Sequence, residues 1–131
     1  AVDPAPVRIE LPQPREEVLR AVRNAAAAVF TGLREEGGLA LAESMLIGTP
    51  VVVLAHGGAE AIAACTIDPD RVVLVRPTDS TSTAMRIGRA MSHFCDSPSD
   101  RQDSMLDTAA AARVLKAAVE EACDGAAARC A

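Results

Sequence analysis

The chain has 131 residues, half of them apolar but only 2% aromatic, and carries a formal net charge of -5. That length supports one modest core, built from Ala, Val, Leu, Ile and Met, so a single domain over residues 1–131 is expected. The acidic balance, without any Lys/Arg cluster, excludes general nucleic-acid binding, which needs a basic stripe to displace counterions.

No apolar run approaches the roughly 20 residues of a membrane span, and no basic start leads into an apolar signal segment, so the chain reads as cytoplasmic. Cys65, Cys95, Cys123 and Cys130 show no Cys-x-x-Cys spacing, and the nearest histidine to any of them is His93, two residues before Cys95. Reduced, mostly structural thiols are expected, and no bound metal. The first residue is Ala1 and not methionine, which reads as the start of a processed or excised piece.

Val7-Arg8-Ile9-Glu10 is expected as a short strand. Pro12 and Pro14 bar a helix until its first turn. From Pro14 a helical pattern begins, with Glu16 and Glu17 in the first turn and Val18, Leu19, Val22 and Ala26 on one side. Ala27 to Thr31 is a short apolar run of the kind that buried parallel strands show. Gly37-Gly38 opens, and Gly48 closes, a helix over Leu39–Ile47, and a strand over Val51–Ala55 follows Thr49-Pro50. His56-Gly57-Gly58 makes the next strand-to-helix turn, followed by a short helix over Ala59–Ala64.

Asp68-Pro69-Asp70 reads as a turn and Arg71–Val75 as a fourth strand. A helix capped by Asp79 or Ser80 then carries the stripe Ala84, Ile87, Met91 and Phe94. Residues 96–100 form a polar linker. A long helix over Arg101–Ala122 presents Leu115, Ala118, Val119 and Ala122 on one side. Strands alternating with helices imply an α/β fold, a Rossmann-like parallel sheet with helices on both faces.

Glu43 is the most informative residue. At about 100° per residue, Leu39, Leu46 and Ile47 lie on one side of their helix with Glu43 between them, while Ala40, Ser44 and Gly48 make the small or polar side. A carboxylate among leucines requires a hydrogen-bond donor, since an unpaired polar group there costs on the order of 2 kcal/mol. Two readings stand. Either Glu43 meets a ligand, or it lies at the rim of the stripe and reaches water. The glycines before the helix leave backbone N–H groups facing an anion, so a nucleotide would place phosphate at the helix tip and ribose hydroxyls one turn behind.

Glu35-Glu36-Gly37-Gly38-Leu39-Ala40-Leu41-Ala42-Glu43, continued by Ser44-Met45-Leu46-Ile47-Gly48-Thr49-Pro50-Val51-Val52-Val53, resembles the donor-site motif of retaining GT-B glycosyltransferases, the glycosyl transferases group 1 family. Two glutamates with seven residues between them mark that motif, and Glu35 and Glu43 keep the spacing. Where the family has Gly-Phe-Gly after the first glutamate, this chain has Glu36-Gly37-Gly38. The family also has a Gly-Gly turn after the strand that ends at Ala55, matched by Gly57-Gly58. Its next acid lies one position beyond Glu60, so Glu60 inherits no role.

The resemblance implies the C-terminal, donor-binding half of a two-domain enzyme that transfers a sugar from a nucleotide-diphosphate sugar with retention. It implies that Glu43 holds the ribose hydroxyls, that Glu35 acts on the donor sugar as the catalytic glutamate, and that Gly37, Gly38, Leu39, Gly57 and Gly58 bind the donor. No cofactor or metal is implied. A basic clamp and the acceptor site belong to the missing N-terminal Rossmann domain, through which peripheral membrane association is also conceivable, and Arg34 does not take the place of that clamp. The alternative is a Rossmann-like module that binds a nucleotide or a protein without catalysis. A sugar epimerase of related fold lacks its Gly-Gly-x-x-Glu-Glu pattern here, and an α/β-hydrolase reading of His56-Gly57-Gly58 lacks a Gly-x-Ser-x-Gly nucleophile.

Overall fold

The computed structural model describes residues 7–32, 38–97, 103–117 and 120. Three parallel strands, β1 (Ala28–Phe30), β2 (Val51–Leu54) and β3 (Val72–Val75), lie in the order β1-β2-β3. Ala28 pairs with Val51, and Val51 in turn with Val72. Between them run α2 (Leu39–Ile47) and α3 (Gly57–Ala63); α1 (Arg15–Asn24) precedes the sheet and α4 (Ser80–Asp96) follows it.

β2 is buried along its whole length because it is covered on both faces. Val51 and Val53 point into a core with Leu41 and Met45 of α2, Ala59, Ile62 and Ala63 of α3, and Met105 and Leu106. Val52 and Leu54 point the opposite way, to Val75 and to Phe94 of α4, with Ile87 and Ala90 packed alongside. This is the expected Rossmann-like arrangement with helices on both faces.

Local chemistry sets the boundaries. Gly48 ends α2 in the left-handed region, φ 88°, with its N–H on the Ser44 and Met45 carbonyls. Asp79 caps α4 by accepting from the Ser82 N–H at 2.9 Å, as expected. The hydrogen bonding holds its carboxyl below the ordinary 3.8, the Ser82 bond being the largest cause.

Several expectations are corrected. Residues 7–10 form no strand, and Val7 and Ile9 are about nine-tenths exposed; no neighbouring strand among the described residues meets their backbone groups. The second turn's helix starts at Gly57 and not at Ala59. Arg71 belongs to a 3-10 turn, Pro69–Arg71, and β3 begins after it. In α4 the inward stripe is Ile87, Ala90 and Phe94, whereas Ala84 and Met91 are exposed.

The last helix covers 108–117 in place of a start at Arg101; Asp107 stops it from extending backwards by accepting from the Ala110 N–H. Before it, Met105 and Leu106 are core residues in an extended strap. Met105 N–H donates to Met45 O, and Met105 O accepts from Ile67 N–H, both at 2.8 Å. Leu115, expected on the covered side, is half exposed; Ala118, Val119 and Ala122 lie outside the described residues.

Arg71 is the buried cation that ties these pieces together. It donates to Asp68 Oδ2 at 2.8 Å, to Gly48 O at 2.8 Å and to Asp103 O at 2.9 Å. One guanidinium thus fixes the end of α2, the 3-10 turn and the start of the strap.

Candidate functional site

The loops after β1 and β2 leave from the carboxyl ends of neighbouring strands, the edge at which open α/β sheets bind ligands. Gly38 caps α2 in the left-handed conformation, φ 57° and ψ 21°. A Cβ there would stand 3.1 Å from Ile62 Cγ1 and 3.6 Å from the Gly58 carbonyl. Only glycine satisfies both the backbone angle and the contact. The two glycine turns, at 38 and at 57–58, are therefore packed against each other.

Gly57 is also left-handed, φ 55°, yet a Cβ on it would meet nothing within 4 Å. Its surface is open. Leu39 is exposed as well, and neither α2 nor α3 has a side chain capping its first turn. No acidic residue occupies the first turn of α2, so its leading N–H groups form an electropositive ledge.

Glu43 lies one turn further along α2, and its surroundings correct the reading of that helix. The buried face holds Leu41, Ser44, Met45 and Gly48, whereas Leu39 and Leu46 are exposed. Leu41 and Met45, not the leucines at 39 and 46, pack α2 onto the sheet, and the buried Ser44 hydroxyl is satisfied by donating to Ala40 O at 2.9 Å. Glu43 thus points away from the core, towards α1. Its partner is Arg15, whose Nε donates to Glu43 Oε1 at 3.1 Å and whose second guanidinium nitrogen donates to the same oxygen. With Leu19, Leu46 and Ile47 the pair lines a pocket of about 160 Å³.

The Glu43 side chain is only 23% exposed, whereas that of Arg15 is 71% exposed. The carboxylate is the more buried member of the pair and the guanidinium the more exposed. The other predicted site residues, Glu35 and Gly37, lie outside the described residues, as does Arg34. Among the described residues no three His, Cys, Asp or Glu side chains converge as a metal ion would require.

Two cations near this edge escaped the sequence reading. Arg15 could have been suspected only by knowing that α1 crosses α2. Arg76 follows β3 directly at its carboxyl end, 3.7 Å from Glu60 in the first turn of α3; its position after a strand was the available signal. His56, the residue before α3, is exposed and makes no capping bond.

A family model, glycosyl transferases group 1, matches residues 5–101, well over half of the chain. The chain belongs to the glycosyl transferases group 1 family. Both glycine turns and Glu43 fall inside the match, as does the whole parallel sheet, and glycosyl transfer, with a sugar donor as substrate, is the chemistry of the family. No curated protein and no solved structure matches this group 1 chain significantly. No helix among the described residues is long and apolar enough to cross a membrane.

Proposed function

We propose that this chain is the donor-binding domain of a retaining glycosyltransferase that uses a nucleotide-diphosphate sugar. The observation that carries the reading is the convergence of the Gly38 and Gly57-Gly58 turns on one ledge, with the partly buried carboxylate of Glu43 one turn behind it. Four residues of helix rise by about 6 Å, the span from a nucleotide's phosphate to its ribose. Phosphate or sugar oxygens take the leading N–H groups at Gly38 and Leu39 with Gly57 and Gly58 beside them, and Glu43 accepts from the ribose hydroxyls. Glu35, preceded on the chain by β1, is assigned to the donor sugar together with Gly37. Retention follows from a front-face, leaving-group-assisted reaction whose developing diphosphate charge is stabilised by preorganised donors.

A second Rossmann-like domain completes the enzyme in this reading and supplies the basic clamp and the acceptor site. The N-terminal face supports it. α1 buries none of its residues, and Val7, Ile9 and Leu11 are at least 80% exposed, an apolar surface that water disfavours. A cytoplasmic location, with membrane contact only through the second domain, belongs to the same proposal, as does independence from any metal.

The competing reading, a non-catalytic nucleotide- or protein-binding module, draws on one observation: Glu43 is already satisfied by Arg15. Chemical-shift mapping with a nucleoside diphosphate sugar tests the donor site and separates it from a protein-binding module. Shifts at 38–43 and 56–58 larger than those at 108–117 are expected. Shifts confined to residues beyond 100 would refute the donor site.

A further inference from the structure

The outer side of β3 carries a feature that donor binding leaves unused. A groove of about 580 Å³ is lined by Val73, Leu74, Val75 and Arg76 and, across from them, by Arg86, Arg89, Ala90 and His93 of α4. Successive strand residues point to opposite faces of a sheet, so four consecutive residues can line one groove only where it runs along the strand's edge. β3 is that edge among the described residues. The Val75 carbonyl accepts from the Ala55 N–H at 2.8 Å, so Val75 turns its polar groups towards β2. Alternation along the strand then leaves the N–H and C=O of Leu74 facing the groove.

Edge strands are ordinarily protected by charges within the strand, and Val72-Val73-Leu74-Val75 has none. Leu74 is exposed. The charge stands opposite, on α4. Arg86 donates to the Arg76 carbonyl at 3.2 Å and has no carboxylate partner, and Arg89 makes no hydrogen bond or ion pair among the described residues. Glu60 of α3 pairs with Arg76, at 3.7 Å, and no carboxylate among the described residues lines the groove. In a chain of net charge -5, this apolar floor with a one-sided arginine rim is a local reversal of sign.

We infer that the groove between the outer edge of β3 and α4 docks an acidic, extended segment of a partner protein, which adds to the sheet as a further strand. Its backbone pairs with Leu74, its apolar side chains share the face of the sheet that carries Leu74, and its carboxylates, on the α4 face, meet Arg86 and Arg89. Backbone pairing supplies affinity for any extended chain, and the arginine rim selects the acidic ones.

The test is fluorescence anisotropy of the whole chain with a labelled peptide of about eight residues, the length of a short strand, alternating Asp and Val. Saturable binding that weakens with salt is expected, as is slowed exchange of the Leu74 amide. A peptide of equal charge with prolines in place of the central valines should fail, because it cannot pair its backbone. The double variant Arg86→Glu, Arg89→Glu should weaken binding by about tenfold or more, with circular dichroism reporting its fold; Arg89→Gln, at an exposed residue without partners, is the milder form should the double variant not fold. Equal binding of a Lys/Val peptide or of the proline peptide overturns the proposal. So does unchanged affinity in a folded charge variant, or no saturation at about 1 mM peptide. Binding to phosphatidylserine vesicles without peptide binding would assign the groove to a lipid surface, and self-association abolished by the same variant would assign it to a second copy of the chain; each rejects the acidic partner.

Discussion

At the scale of single residues, three side-chain positions divide the labour between site and scaffold. Glu43 is held beneath an exposed arginine, and an exposed pair of this kind contributes less than about 1 kcal/mol. Glu43→Gln is therefore expected to leave the melting temperature of the free protein nearly unchanged while removing most of the stabilisation that a nucleotide adds; a thermal melt with and without ligand reads both. A large loss in the free protein would make Glu43 structural. Gly38→Ala should behave in the opposite way. The left-handed backbone and the 3.1 Å approach of Ile62 together cost about 1–3 kcal/mol, to be read as a lowered urea midpoint. Arg71 has no surface role. Arg71→Met removes the buried guanidinium that the Gly48 and Asp103 carbonyls share, and a loss of about 3 kcal/mol in urea unfolding is expected; a neutral result would mean that the strap is anchored by Met105 alone.

At the scale of elements, α2 and α4 are held by different means. α2 is apolar on nearly every side, so packing against β2 and the strap, not periodicity, chooses its inward face. α4 is amphipathic and depends on its cap. The depressed Asp79 carboxyl implies a stabilising contribution that is complete above the ordinary 3.8 and is lost as pH falls through the lower folded value. The protection factor of the Ser82 amide, its exchange rate relative to that of an unstructured peptide at the same pH, should therefore hold down to mildly acidic pH and fall only below that range, whereas in Asp79→Ala it should be low at every pH. An acid transition of the Ser82 amide in Asp79→Ala identical to that of the parent protein would reject the cap as its cause.

At the scale of the molecule, the ledge of backbone donors is one-sided. The Gly57 face is open, and two cations near the strand ends among the described residues, Arg15 and Arg76, are each engaged with a glutamate. A donor bound there meets no second wall among the described residues, and closure of a partner domain over two reactants can be worth roughly 7 kcal/mol or more. The chain alone is therefore expected to bind a nucleoside diphosphate sugar weakly and to show neither transfer nor donor hydrolysis above background. Turnover comparable to that of an intact enzyme would reject the two-domain reading and place a complete site within these residues.

What could be read from the chain itself was whatever a few neighbouring residues dictate. Glycines at 38 and 48 bracket α2, Asp79 caps α4, and the valine run of β2 demands cover on both faces; these follow from backbone angles, hydrogen-bond geometry and the wish of apolar side chains to leave water. The glutamate spacing and the Gly-Thr-Pro-Val-Val sequence likewise sufficed to recognise the group 1 family. What only the tertiary structure decided is who faces whom. Ser44 and not Leu46 is buried, because the packing of α2 against its neighbours, and not its own sequence, chooses the inward face. Val7, Ile9 and Leu11 alternate as a strand does, yet 7–10 is no strand, because a strand exists only where another meets its backbone groups. Met105 joins the core through hydrogen bonds to Met45 and Ile67, some sixty and forty residues away along the chain, and Arg15 finds Glu43 because α1 happens to cross α2. Such long-range pairings leave no periodic trace in the sequence, since each depends on the relative placement of two elements and on neither one alone.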